Sequence, residues 1–167
     1  MDTDELKRRY LVGERNFHRA NLNGSDLRKV QLMRADLLKA NLQNSNLSGA
    51  NLTRVNLYQA NLSRADLRQT TLNEAILHGA ELSGANLHRA SLIKADLCEA
   101  NLKGASLTHT NLGAAKLSGA NLNNANLTWA NLRKADLKHA NLEGADLSGA
   151  KFCNTIMPDG SMRDDDC

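Results

Sequence analysis

The sequence predicts an all-β solenoid of about seven four-sided coils, closed at its start by a short capping α-helix. Three observations predict it. Core residues recur every five positions without a slip from Phe17 to Phe152, giving 28 units, of which 26 hold Leu and the first and last hold Phe. From Leu22 on, the residue two before each is small. It is Ala in most units and otherwise Ser25, Ser45, Thr70 or Thr110, with Val30 and Val55 as larger exceptions. Gly gathers at the second position after the core residue, as at Gly24, Gly49, Gly79 and Gly84, and Asn44, Asn124 and Asn154 stand there too.

A period of five fits neither a helix, at 3.6, nor a strand, at 2.0. A strict short period marks units that lean on their neighbours. Within a unit, alternation in extended chain puts the Leu and the small residue two before it on one side, facing in. The other three positions read Asn or Asp, then polar, then polar or Gly, and face water. Gly and Asn tolerate positive φ, so a corner falls once per five residues. The simplest closed path has four sides, so residues about twenty apart stack in neighbouring layers.

The elements follow in order. Residues 1–14 form the cap. Asp2 or Thr3 starts a helix over residues 2–12, Asp4 and Glu5 suit its positive first turn, and Gly13 ends it. Leu6, Tyr10 and also Leu11 are expected to cover the first coil. Residues 15–154 form the coil of 28 repeats. Asn stacked on Asn, as at Asn41 and Asn61, is expected to ladder amides between layers. That pattern is weakest at Thr71, Ile76 and Glu81. Residues 155–167 form a thin C-terminal cap from Ile156 and Met157, a Pro158-Asp159-Gly160 turn, and a disordered acidic tail.

The A-(N/D)-L-x-x pattern over residues 15 to 154 resembles the pentapeptide repeat family. The resemblance implies a right-handed quadrilateral β-helix with Leu and the small residue inside. Long rods of this kind resemble those abundant in cyanobacteria, some of which modulate heterocyst differentiation. The start, Asp4-Glu5-Leu6 followed by Gly13-Glu14-Arg15-Asn16-Phe17, looks like that group. Family members also include end-to-end dimers, and the thin C-terminal cap points to a possible homodimer through that end. Other members imitate DNA and occupy type II topoisomerases.

The sign of the charge speaks against that last role. Residues 16–154 hold 16 Lys/Arg against 10 Asp/Glu, whereas a DNA mimic must be acidic. The basic residues, among them Arg28, Lys29, Arg34, Arg54, Arg133 and Lys134, are scattered, with no aromatic stacking set, so no specific nucleic acid is expected. Aromatics make up 3% of the chain, which suits a thin core of Leu and Ala. No stretch is apolar enough to span a membrane, and the start does not read as a signal peptide, so a cytoplasmic protein is expected.

Cysteines number three. Cys98 and Cys153 fall on different sides and layers, out of disulfide reach. Cys167 can meet Cys153 or a second chain, but reduced thiols are the expected state. His78 and Cys98 share a column in adjacent layers, with Glu99 beside them. Zinc needs four ligands, or three plus water. The sequence supplies no clear third, so no metal site, cofactor or catalytic residue is assigned. No nucleophile–base set or phosphate-binding Gly loop occurs, so no enzyme is expected.

One outward group departs from the polar pattern. Leu38, Tyr58, His78 and Cys98 form a column on side one, flanked by Ile76, with Met33 and Ile93 at the preceding corner. Met33, Leu38, Tyr58, Ile76, Ile93 and Cys98 are the candidate contact patch for an unidentified protein partner. Trp129 shares a column with Arg89 and His109, where local cation–π or aromatic packing accounts for it. The expected function is that of a non-catalytic scaffold or regulator, with topoisomerase modulation as the alternative.

Overall fold

A computed structural model describes the whole chain, Met1–Cys167. Single-residue parallel β-bridges join positions twenty apart through the length of the rod, from Asn16–Asp36 and Asn21–Asn41 to Asn131–Lys151 and Asp136–Ile156. That step of twenty is four units of five, and the four-sided coil follows. The chain is a right-handed quadrilateral β-helix. Its core is one column-packed cluster. Leu22 through Leu137 are buried at every fifth residue, with Ala, Val, Ser or Thr between them.

The backbone accounting explains why five residues suffice. In the unit around Leu57, four N–H groups are bonded through the backbone. Leu57 donates to Ile76 O at 2.7 Å, Gln59 to His78 O at 3.0 Å, and Asn61 to Ala40 O at 2.9 Å, while Ala60 closes a turn on Leu57 O at 3.0 Å. The fifth, Tyr58 N–H, donates to the side-chain Oδ1 of Asn56 at 3.0 Å. The same side-chain bond recurs at Asp36–Leu38, Asn86–His88 and Asp136–Lys138. Asn and Asp therefore hold their position chiefly as local acceptors for the N–H two residues on. The expected amide ladders between layers exist as well, as from Asn56 to Asp36 at 2.9 Å and from Asn131 to Asn111 at 3.1 Å. Where Ser91 replaces Asn, Ile93 N–H instead reaches Asn73 Oδ1 of the previous coil at 3.0 Å.

Every corner is left-handed. The second residue after each core position, from Arg19 to Asn154, has φ between +50° and +69°, and most of these residues carry side chains. An L-residue there costs roughly 1–2 kcal/mol, offset by the two interlayer bonds that flank the corner. Ala114, at φ +55°, is thus a strained position with little side chain to lose. Ala114→Gly is expected to raise the stability by about 0.5–1 kcal/mol. Gly24→Ala, at φ +65° with open space around the added Cβ, should lower it by a similar amount. Thermal melts of the two variants check both signs.

The N-terminal helix α1 spans Thr3–Leu11 and is capped by Asp2, whose carboxylate accepts from Glu5 N–H at 2.7 Å. Leu6 is fully buried on the first coil, and Tyr10 packs beside it with its hydroxyl donating to Met33 O at 3.1 Å. Leu11 does not take part. It is 81% exposed because it projects from the opposite face of the last turn.

The C-terminal residues correct two expectations. The tail is ordered. Strands β1 (Thr155–Ile156) and β2 (Met162–Arg163) pair as an antiparallel hairpin around Pro158-Asp159-Gly160. The chain then folds back along the final side. Phe152 N–H donates to the Asp166 carboxylate at 2.8 Å, Asp166 N–H returns to Phe152 O at 2.8 Å, and the Asp164 carboxylate takes Asn154 N–H. The acidic tail supplies the acceptors that an eighth coil would have supplied. Arg163 lies over the Phe152 ring, 3.7 Å from its centre. Cys153 and Cys167 form a disulfide with Cα atoms 4.8 Å apart, in place of the expected reduced thiols; the returning tail brings them together. Cys98 remains a thiol. The cap covers Phe152 but leaves Leu142 and Leu147 of the last coil only partly buried.

Candidate functional site

Side one is the face on which the outward pattern breaks. Two columns run along it. One holds Asn16, Asp36, Asn56, Ile76, Asp96 and Lys116, and successive members are bridged in β-register. The other lies two residues on and holds His18, Leu38, Tyr58, His78 and Cys98. Alternation places both columns outward, on either side of the buried Leu37, Leu57, Leu77 and Leu97.

Along the second column the side chains stack. The Tyr58 and His78 rings are 5.4 Å apart and within 2° of parallel. Leu38, Tyr58 and Cys98 are half-buried. Ile76 is more exposed, at 43%, and has no oxygen to offer the His78 N–H. Met33 is 41% exposed at the preceding corner, and Ile93 is half-buried three layers nearer the middle of the rod. Tyr58 thus stacks on His78, whose ring nitrogen lies within 4.8 Å of the Cys98 sulfur, Leu38 precedes them in the column, Ile76 flanks them, and Met33 and Ile93 lie around the corner.

The structure adds a residue that sequence reasoning missed. Asp96 lies two before Cys98 and therefore on the same outward side. Its Oδ1 accepts from Cys98 N–H at 3.0 Å. Donor atoms of His78, Asp96 and Cys98 all lie within 4.8 Å of one another. The signal was the same alternation that places Leu97 inside. Glu99, the neighbour noted in the sequence, is at a left-handed corner, and its carboxylate approaches His78 Nε2 only to 3.7 Å. Burial pushes the Cys98 thiol up from its ordinary range, and the Asp96 carboxylate adds to the shift.

Other outward groups explain themselves locally. Trp129 is 61% exposed, yet its ring stacks on His109 at 6.4 Å and 10°, so the packing around it is aromatic. A Cβ on Gly149 would fall 2.6 Å from that ring, so Gly149 is what lets the indole lie flat. Leu11 and Val12, exposed at 81% and 85%, are apolar surface at the end of α1. Three of the five surface depressions lie where α1 meets the first coil, a fourth lies on α1 and its C-cap alone, and all five are open to solvent.

Five carboxylates of the rod, Asp26, Asp66, Glu74, Glu81 and Asp146, are tuned downward. The Arg28 guanidinium holds Asp26 at about 2, and Arg68 lowers Asp66. Burial opposes ionisation of Glu81, but hydrogen bonds from Ser83 and Asn101 outweigh it and lower its carboxyl. A carboxylate depressed in the fold adds stability that is present above its ordinary pKa, about 4, and lost as the pH falls through its folded value. The melting temperature should therefore be level from pH 7 to about 5 and fall between about pH 4 and 2. Asp66→Asn should flatten part of that fall, as read by melts across the pH range.

The family model for pentapeptide repeats matches in eight copies over residues 16–54, 50–89, 80–119 and 120–157. The chain belongs to the pentapeptide repeat family. Among solved structures, HetL, a pentapeptide repeat protein involved in heterocyst differentiation regulation from the cyanobacterium Nostoc sp. strain PCC 7120, is 31% identical. It covers 98% of this chain and 100% of its own, with a TM-score of 0.52. The pentapeptide repeat protein alr5209 from Nostoc PCC 7120 is 40% identical over 60% of this chain and 80% of its own, with a TM-score of 0.57. QnrB1, a plasmid-mediated fluoroquinolone resistance protein, is 16% identical with a TM-score of 0.33, which carries no argument about function. No match is found among curated proteins. No helix is long and apolar enough to cross a membrane.

Proposed function

We propose that this pentapeptide repeat protein is a non-catalytic scaffold or regulator whose side one docks a protein partner. The observation that carries the reading is the apolar column of Leu38, Tyr58 and Cys98 with Ile76 beside it, on a surface that elsewhere repeats Asn, Asp and other polar residues. Met33 and Ile93 extend the patch around the corner. A rigid face with half-buried apolar groups loses little entropy on docking, which suits a binding surface. The role in differentiation regulation ascribed to HetL is in keeping with this reading. The core is filled by Leu and Ala, which leaves chemistry to open surfaces and argues against an enzyme. A half-covered end at Leu142 and Leu147 also suits a second copy of the chain, and sedimentation tests for that dimer.

The test is capture from host extract with wild type, with a Leu38→Glu, Tyr58→Glu variant, and with a Gln43→Glu, Ser63→Glu control one side on. A protein held by wild type and control but lost with the side-one variant supports the reading. Equal capture by all three overturns the placement on side one. Topoisomerase modulation asks for an acidic rod, and residues 16–154 are net basic. No inhibition is expected in a supercoiling assay. A cytoplasmic location belongs to the same proposal. In a reducing compartment the Cys153–Cys167 bond faces glutathione and thioredoxin. Thiol trapping on fresh lysis reads its state there.

A further inference from the structure

We propose that His78, Asp96 and Cys98 form a binding site for one zinc ion on side one. The donor set is thiolate, imidazole and carboxylate, which together suit a borderline-soft divalent ion. The three donor atoms lie within 4.8 Å of one another. Ligands around a tetrahedral zinc stand about 3.3–3.7 Å apart, so side-chain torsions need to close the set by only about 1 Å.

The scaffold holds the three in place before any ion arrives. Leu77 N–H donates to Asp96 O at 2.7 Å and Gly79 N–H to Cys98 O at 2.9 Å, fixing the two layers against each other on both sides of His78. The parallel Tyr58 ring backs the imidazole. The Cys98 N–H bond to Oδ1 orients the Asp96 carboxylate beside the sulfur. All three ligands are half-buried, so each is partly desolvated already. Glu99, 3.7 Å from His78 Nε2, adds a second carboxylate at the rim. Lys116, exposed one layer on in the Asp96 column, acts against a cation. Its long stem can swing its ammonium into solvent.

On binding, the Cys98 thiol gives its proton to solvent, and the thiolate takes the ion. Water fills the fourth position, as in a three-ligand zinc site. Such a site would pin two layers of side one together at the layer where the Asn/Asp pattern fails. It stands whether or not this face docks a protein.

The disulfide gives the test its specificity. With Cys153 and Cys167 bonded, Cys98 is the one free thiol in the chain. Cobalt(II) is titrated into the full-length oxidised protein, and the thiolate-to-cobalt charge-transfer band is followed. Saturation at one equivalent is expected, with zinc then abolishing the band. Cys98→Ser should remove the band. His78→Gln and Asp96→Asn should each weaken binding about tenfold or more. Lys116→Met should tighten it. All four positions face outward, so circular dichroism melts should show these variants folded. Absence of a saturable band in wild type, or a band unchanged in a folded His78→Gln, Asp96→Asn double variant, overturns the site.

Discussion

Leu87→Ala is expected to lower the stability by about 2–5 kcal/mol, as read by a circular dichroism melt or urea titration. Leu87 is fully buried and stands between Leu67 and Leu107 in adjoining coils, both of them buried. Those neighbours are held by interlayer bonds on each side, so the coil cannot collapse into the space, and the cavity term adds to the lost burial. Leu147→Ala offers the contrast. It sits in the final coil, is only partly buried, and has no coil beyond it. Its cost should be about 1 kcal/mol. Equal effects at the two positions would contradict a layered core summed from nearest-neighbour terms.

The second large effect belongs to the C-terminal end. The Cys153–Cys167 bond spans a sequence separation of 14 residues, and in the chain-entropy model closing such a loop contributes about 3 kcal/mol. Cys153→Ser with Cys167→Ser should release the tail and with it the Asp164 and Asp166 acceptors for Asn154 and Phe152. Repeat proteins fray from their ends, so the loss should appear as local opening rather than as a fall in the central coils. Trypsin cleavage after Arg163 is expected to accelerate in the variant. Dithiothreitol should produce the same acceleration in wild type and none in the variant. Unchanged cleavage in both would mean that the hairpin and the Arg163–Phe152 contact hold the cap alone.

The rod was legible because its signal is redundant. Each Leu repeats the same statement as the Leu twenty residues before it, and one mistaken unit would not shift the register. Corners were legible through Gly24 and Asn44, although Trp129 and Lys134 adopt the same left-handed geometry because closure of the coil overrides local preference. What the repeat does not encode was harder to read. Leu11 looked like a cap residue by composition, but its position on the helix turned it away from the coil. The tail read as disordered because its Asp residues suggest solvation. Their function as hydrogen-bond acceptors appears only once the last coil's unpaired N–H groups are counted. Asp96 was within reach of the sequence. Glu99 is next to Cys98 in the chain, but alternation places Asp96, two before it, on the same side.

The claim that side one carries the partner contact is tested most directly by amide hydrogen exchange on the captured complex. Slower exchange is expected over residues 36–39, 56–59, 76–79 and 96–99, which lie in successive layers of one face. Residues 41–44, 61–64 and 81–84, one side on, should exchange as in the free protein. Protection centred on that second set, with side one unchanged, would contradict the claim.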